Sequence, residues 1–155
     1  MRSITSLINQ LQADFPGYSF TSAHEFWWSG EKATIFYDPS ATNSPAFTLH
    51  ELSHAILGHE GYERDIELLR LERDAWNYAK GILATEYDIA ISGDTVQDNL
   101  DTYRHWLHGR STCPECQATG IQAKDHEYRC LACGHHWRVN EARLCALRRY
   151  SLQTK

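Results

Sequence analysis

The apolar positions along this chain change period several times, and each change marks an element. Ile4, Leu7, Ile8 and Leu11 recur at helical spacing until Phe15-Pro16-Gly17 stops the run, which predicts an N-terminal helix. Residues 18–27 are rich in aromatics, Ser29-Gly30-Glu31-Lys32 has turn chemistry, and Ala33-Thr34-Ile35-Phe36-Tyr37 is β-branched and aromatic up to Asp38-Pro39. That succession predicts a β-hairpin. A loop over 40–45 leads into an amphipathic helix beginning near Ala46 and closed by Gly58. A longer helix is expected over 62–83, where Ile66, Leu69, Trp76 and Ala79 keep a stripe that no proline interrupts. Another opens after Gly93: Asp94 and Gln97 are spaced like a capping box, and Val96, Leu100, Tyr103 and Leu107 share one face until Gly109.

Beyond residue 110 the pattern shortens. Gly120-Ile121-Gln122-Ala123, Glu127-Tyr128-Arg129 and His136-Trp137-Arg138-Val139 read as strands, and Leu144, Cys145 and Leu147 as apolar positions of a last helix. The class expected is α+β. Its divisions are a first domain over 1–92, a linking helix over 93–110, and a small C-terminal module with a closing helix over 111–155.

A chain of 155 residues with 42% hydrophobic content suits one modest core with a small appendage. Residues 1–10 lack the apolar centre of a signal peptide, and no run approaches the length of a spanning helix. A cytoplasmic location without membrane partners is therefore expected. Charge divides where the pattern does: residues 1–110 carry 8 Lys and Arg against 16 Asp and Glu, net −8, and residues 111–155 carry 7 against 4, net +3. An acidic body with a mildly basic tail is not the profile of a dedicated nucleic-acid binder.

The first helix after the hairpin contains His50-Glu51-Leu52-Ser53-His54, an H-E-x-x-H run. On a helix the i, i+4 spacing sets both imidazoles on one face, about 40° apart, where they can grip one Zn²⁺ with Glu51 beside them. Neutral imidazoles hold zinc while leaving a position for water, and a neighbouring carboxylate takes that water's proton. A third ligand is needed, and the helix over 62–83 offers Glu63, Asp65, Glu67, Glu72 and Asp74. Close packing against the first helix requires apolar neighbours at i±3 and i±4. Glu72 has them in Leu68, Leu69, Ala75 and Trp76; Glu67 and Asp74 have the charged or polar neighbours of solvated carboxylates; Asp65 is the reserve choice.

The run from His50 to His59, followed by Glu72-Arg73-Asp74-Ala75-Trp76-Asn77-Tyr78-Ala79, resembles the ImmA/IrrE-type zinc metallopeptidases. Those proteins join H-E-x-x-H to a later E-x-x-A, with strands preceding the motif helix, and the likeness covers about residues 1–90. It implies a small zincin-like domain of gluzincin type, with His50, His54 and Glu72 as zinc ligands and Glu51 as general base. The hydrolase so implied is a metalloprotease that cuts a protein or peptide substrate, such as a transcriptional repressor or an antitoxin. Strand 33–37 would be an edge to which an extended substrate adds. A metzincin pattern does not fit, because Gly58 and His59 follow His54 by four and five residues instead of three and six. Continued helix would also put His59 about 140° around from His54, so it reads as a helix-end residue and not a ligand.

Cys113-Pro114-Glu115-Cys116 and Cys130-Leu131-Ala132-Cys133 are two C-x-x-C pairs thirteen residues apart. In a reducing compartment such pairs bind metal, and two tight knuckles make a closed Cys₄ zinc site; with the short strands, the segment resembles a zinc ribbon. Two zinc ions are therefore expected, one catalytic and one structural. Four thiolates and a zinc ion add −2 to a tail of +3, so docking or support is favoured for the ribbon over nucleic-acid contact. The rival reading is a non-catalytic zinc-binding regulatory or docking protein, touching nucleic acid through the ribbon.

Overall fold

The computed structural model describes residues 2–141 and 147–152. Leu144 and Cys145 of the expected last helix lie outside them. The architecture is mixed α and β, in two compact units: residues 1–61 with 70–97, and residues 62–69 with 98–155. Among the described residues no helix is long and apolar enough to cross a membrane.

In the first unit, α1 (Ile4–Asp14) begins at Ser3, whose hydroxyl accepts the Ser6 N–H at 3.2 Å, and buries Leu7 and Leu11. Strands β1 (Ser19–Ser22), β2 (Trp27–Ser29) and β3 (Thr34–Tyr37) form one sheet in the order β1-β3-β2. The expected hairpin is β2 with β3, Trp27 lying opposite Phe36 and their rings stacked 3.9 Å apart. Segment 18–27 holds another whole strand before β2 begins at Trp27, however, and that strand, β1, runs parallel to β3 with Phe20 opposite Ile35. This corrects the reading of 33–37 as an edge. β3 is paired on both sides, and the free edges belong to β1 and β2. Its β-branched Thr34 and Ile35 are both buried, which suits the middle position.

Helix α2 (Ser44–Ile56) has Pro45 in its first turn and buries nine of its thirteen residues, so its short polar side chains need internal partners. Thr48 and Ser53 satisfy themselves by donating back to the carbonyls of Ser44 and Leu49, at 2.8 and 2.7 Å. Gly58, with φ of 69°, ends the helix. Its N–H bonds the Ala55 carbonyl at 3.2 Å while the His59 N–H bonds the His54 carbonyl at 2.9 Å, the paired arrangement of a Schellman motif.

The helix expected over 62–83 is α3 (Asp65–Tyr78), a π-helical turn (Ala79–Leu83) and α4 (Ala84–Glu86). Trp76 and Ala79 are fully buried as the stripe predicts, and Ala75 beside them is too, whereas Ile66 is exposed. Helix α5 (Gly93–Ser111) is capped by Ser92, whose hydroxyl accepts the Thr95 N–H at 3.0 Å, two residues before the expected Asp94.

The second unit contains an antiparallel sheet in sequence order: β4 (Ile121–Lys124), β5 (Glu127–Arg129), β6 (His136–Val139) and β7 (Arg149–Leu152). β7 follows Leu147, the one position of the expected closing helix that lies within the described residues. It pairs with β6, Tyr150 opposite Arg138, and covers backbone groups that β6 would otherwise present unpaired. Among the described residues, Cys113, Tyr128, Cys130, Trp137 and Val139 form the buried apolar cluster at this sheet. Buried Arg110 extends it by donating to Asp65 Oδ2 at 2.8 Å and to the Asn140 carbonyl at 2.6 Å, and the Tyr128 hydroxyl donates to the same Asp65 oxygen. A buried guanidinium is tolerated because each partner is in place.

A Cβ on residue 58 would meet nothing within 4 Å, so a side chain there costs only left-handed backbone strain. Gly58→Ala is expected to lower the stability of the first unit by about 1 kcal/mol in urea denaturation.

Candidate metal centres

His50 and His54 lie on adjacent turns of α2, and Glu72 on α3, and their donor atoms converge. His50 Nε2 is 2.9 Å from Glu72 Oε2, His54 Nε2 is 3.4 Å from Glu72 Oε1, and the two Nε2 atoms are 3.2 Å apart. Ligands bound at about 2.0–2.1 Å around a tetrahedral ion sit about 3.3 Å from one another, so the set fits a single ion such as zinc. All three side chains are buried, and of the five carboxylates considered on this stretch only Glu72 joins the imidazoles. Asp65, the reserve choice, is instead held by Arg110 and Tyr128.

Electrostatics follow from this packing. Burial works against charge on Glu72, but hydrogen bonds and charge from His50 and His54 hold its carboxyl far below the usual range. Burial likewise opposes a charge on His54, and the hydrogen bond and charge of Glu72, with Glu51, outweigh it and raise the imidazole. Glu51 differs from Glu72: burial raises it, opposed by His50 and His54, and the Trp28 backbone N–H bonds its carboxylate. A carboxyl kept up in this way holds a proton more readily than a solvated one, which suits acid–base work.

Three neighbours were not legible as part of the site. Trp76, one turn beyond Glu72, stacks on His50 with ring centroids 4.2 Å apart, and the buried His50 Nδ1 has no hydrogen-bond partner. His59 reaches His54, Nδ1 to Nδ1, at 2.9 Å. Continued helix would have carried His59 away, but the Schellman turn at Gly58 brings i+5 back beside i; the Gly-His pair at the helix end was the signal. Trp28 and His59, with Gly30, Glu31 and Glu60, line an open cleft of about 400 Å³.

In the second unit Cys113, Cys116, Cys130 and Cys133 come together. Cys113 and Cys133 sulfurs are 3.7 Å apart and those of Cys116 and Cys130 3.5 Å, too far for disulfides and close to the roughly 3.8 Å edge of a tetrahedron with 2.3 Å bonds. The knuckles share one backbone plan. Gln117 and Gly134 N–H groups bond the carbonyls of Cys113 and Cys130, and the Cys113 and Cys130 N–H groups bond those of Ala118 and His135. Cys130 is lowered to about 7, first by the Cys133 N–H and then, against burial, by that of Ala132. Cys116 and Cys133 are raised instead, Cys133 to about 12, with side-chain hydrogen bonds from the neighbouring sulfurs among the causes, so Cys130 is the thiol that gives up its proton first and a metal would displace the others' protons.

No protein-family model matches the chain, and no curated protein or solved structure matches it either. Both centres therefore rest on the donor sets themselves, a three-donor set of nitrogen and oxygen and a four-sulfur set.

Elemental analysis of the purified protein is expected to return two zinc ions per chain, and Glu72→Gln about one. Gln117 and Gly134 occupy equivalent positions at φ of 65° and 77°. Gln117→Gly should accordingly stabilise the metal-loaded second unit by about 0.5 kcal/mol in a denaturant melt, relief of left-handed strain exceeding the added chain entropy.

Proposed function

We propose that the chain is a zinc-dependent metallopeptidase of the ImmA/IrrE kind, with a zincin-like catalytic unit and a C-terminal zinc ribbon. The observation that carries the reading is the convergence of His50, His54 and Glu72 at tetrahedral spacing, three donors where a closed structural site uses four. Zinc in that position would supply Lewis acidity, activating water and polarising a peptide carbonyl. Glu51 is the general base: it receives the water's proton on its carboxylate and returns it to the leaving amine. Edge strand β2 offers backbone to an extended substrate, replacing the central strand β3 in that role, and the cleft lined by Trp28 and His59 gives the approach. The substrate class is a protein partner, and the family likeness suggests a repressor or antitoxin. The ribbon, closed by four sulfurs, is structural.

Glu51→Gln is expected to keep both zinc ions and retain the partner in pull-downs, while cleavage of that captured partner falls about 10²–10⁴-fold from the wild-type rate. Full-rate cleavage by the zinc-loaded variant would remove Glu51 from the mechanism. In the rival reading both metals serve folding alone. Adding acetohydroxamate to the cobalt-substituted protein separates the two: an open coordination position predicts a changed visible spectrum, and a closed one predicts none.

A further inference from the structure

We propose that His59 is the positioning residue of the His50–His54–Glu72 site, accepting the Nδ1–H of His54 at its own Nδ1 and so keeping His54 Nε2 free to bind metal. The inference rests on the metal-binding part of the reading above and not on peptide hydrolysis.

A neutral imidazole carries one proton. With the ring nitrogens 2.9 Å apart, one of the two must donate, which leaves two tautomer pairs. If His59 donates, the His54 proton is on Nε2, among the donors of Glu72 and His50, and the lone pair needed for metal is lost. If His54 donates, Nε2 is bare. Only the second arrangement is compatible with a loaded site, and it requires an acceptor where His59 stands.

The fold places that acceptor by backbone geometry. Gly58 in the left-handed region turns the chain so that the His59 N–H meets the His54 carbonyl at 2.9 Å, and the side chains follow, with ring centroids 5.1 Å apart at 65°. Schellman turns commonly bring apolar residues together at these positions; here two imidazoles meet. His59 is not a further ligand of the same ion, because it faces the nitrogen of His54 that points away from the donor cluster. His50 has no comparable support: its buried Nδ1 lacks a hydrogen-bond partner and its ring is held by stacking on Trp76. Among the described residues, the His59 contact is thus the only side-chain hydrogen bond that sets the tautomer of an imidazole ligand.

The test is zinc affinity of the full chain, measured by chelator competition on wild type, His59→Ala and His59→Asn, with Cys₄ occupancy followed separately. In Asn the amide oxygen lies where Nδ1 of His59 does, so it can take the same proton. Wild type should bind two ions; His59→Ala should weaken the imidazole site about 10–100-fold and leave the Cys₄ site unchanged, and His59→Asn should recover most of the loss. Cobalt bound at the imidazole site should show an altered visible spectrum in His59→Ala alone. Unchanged affinity in His59→Ala overturns the proposal, as does a loss that His59→Asn fails to repair. A wild-type protein that binds only one ion, at the cysteines, overturns the underlying metal site itself, which is a different result from a two-ion protein indifferent to residue 59.

Discussion

A carboxylate buried between two imidazoles is the contact around which the first unit is organised. Glu72 is only 5% exposed, and a charge removed from water to that extent is costly unless its partners are fixed. The surroundings supply the fixing. Ala75 and Ala79 keep that face of the helical stretch small, Trp76 packs on His50 and against Phe47, and α2 is buried along most of its length. Two nitrogens and a carboxylate at such spacing would be poorly placed as a mere ion pair, since each imidazole turns the same atom toward the other. As a ligand set the arrangement is economical: one cation satisfies all three.

The second unit solves another problem with the same chemistry. Among the described residues, the apolar cluster at its sheet numbers five, little to hold four short strands against chain entropy. Two of those five are cysteines, so the knuckles serve as core and as candidate metal ligands at once. The buried Arg110, tied to Asp65, Asn140 and Trp137, adds polar cross-links where apolar surface is scarce.

Helix ends decide more here than helix interiors. Periodicity placed His50 and His54 on one face and selected Glu72 from several acids, because those relations lie inside regular helices. It misplaced His59, because the rule it extends stops at Gly58. It also read α3 through α4 as one uniform helix and shifted the start of α5 by two residues, since caps depend on which hydroxyl actually reaches a free N–H.

Local chemistry alone was enough to indicate the candidate donor groups, the two C-x-x-C knuckles, the main helices and the short strands, because each depends on residue type at short spacing. Pairing between distant segments was not contained in it. That β1 lies parallel to β3 and leaves it central, that residues 149–152 form a strand on β6, and that Asp65 pairs with Arg110 all follow from competition among partners far apart in the chain. A strand's neighbours and a buried carboxylate's partner are chosen by what the folded core leaves unsatisfied, and only the assembled tertiary structure has that information.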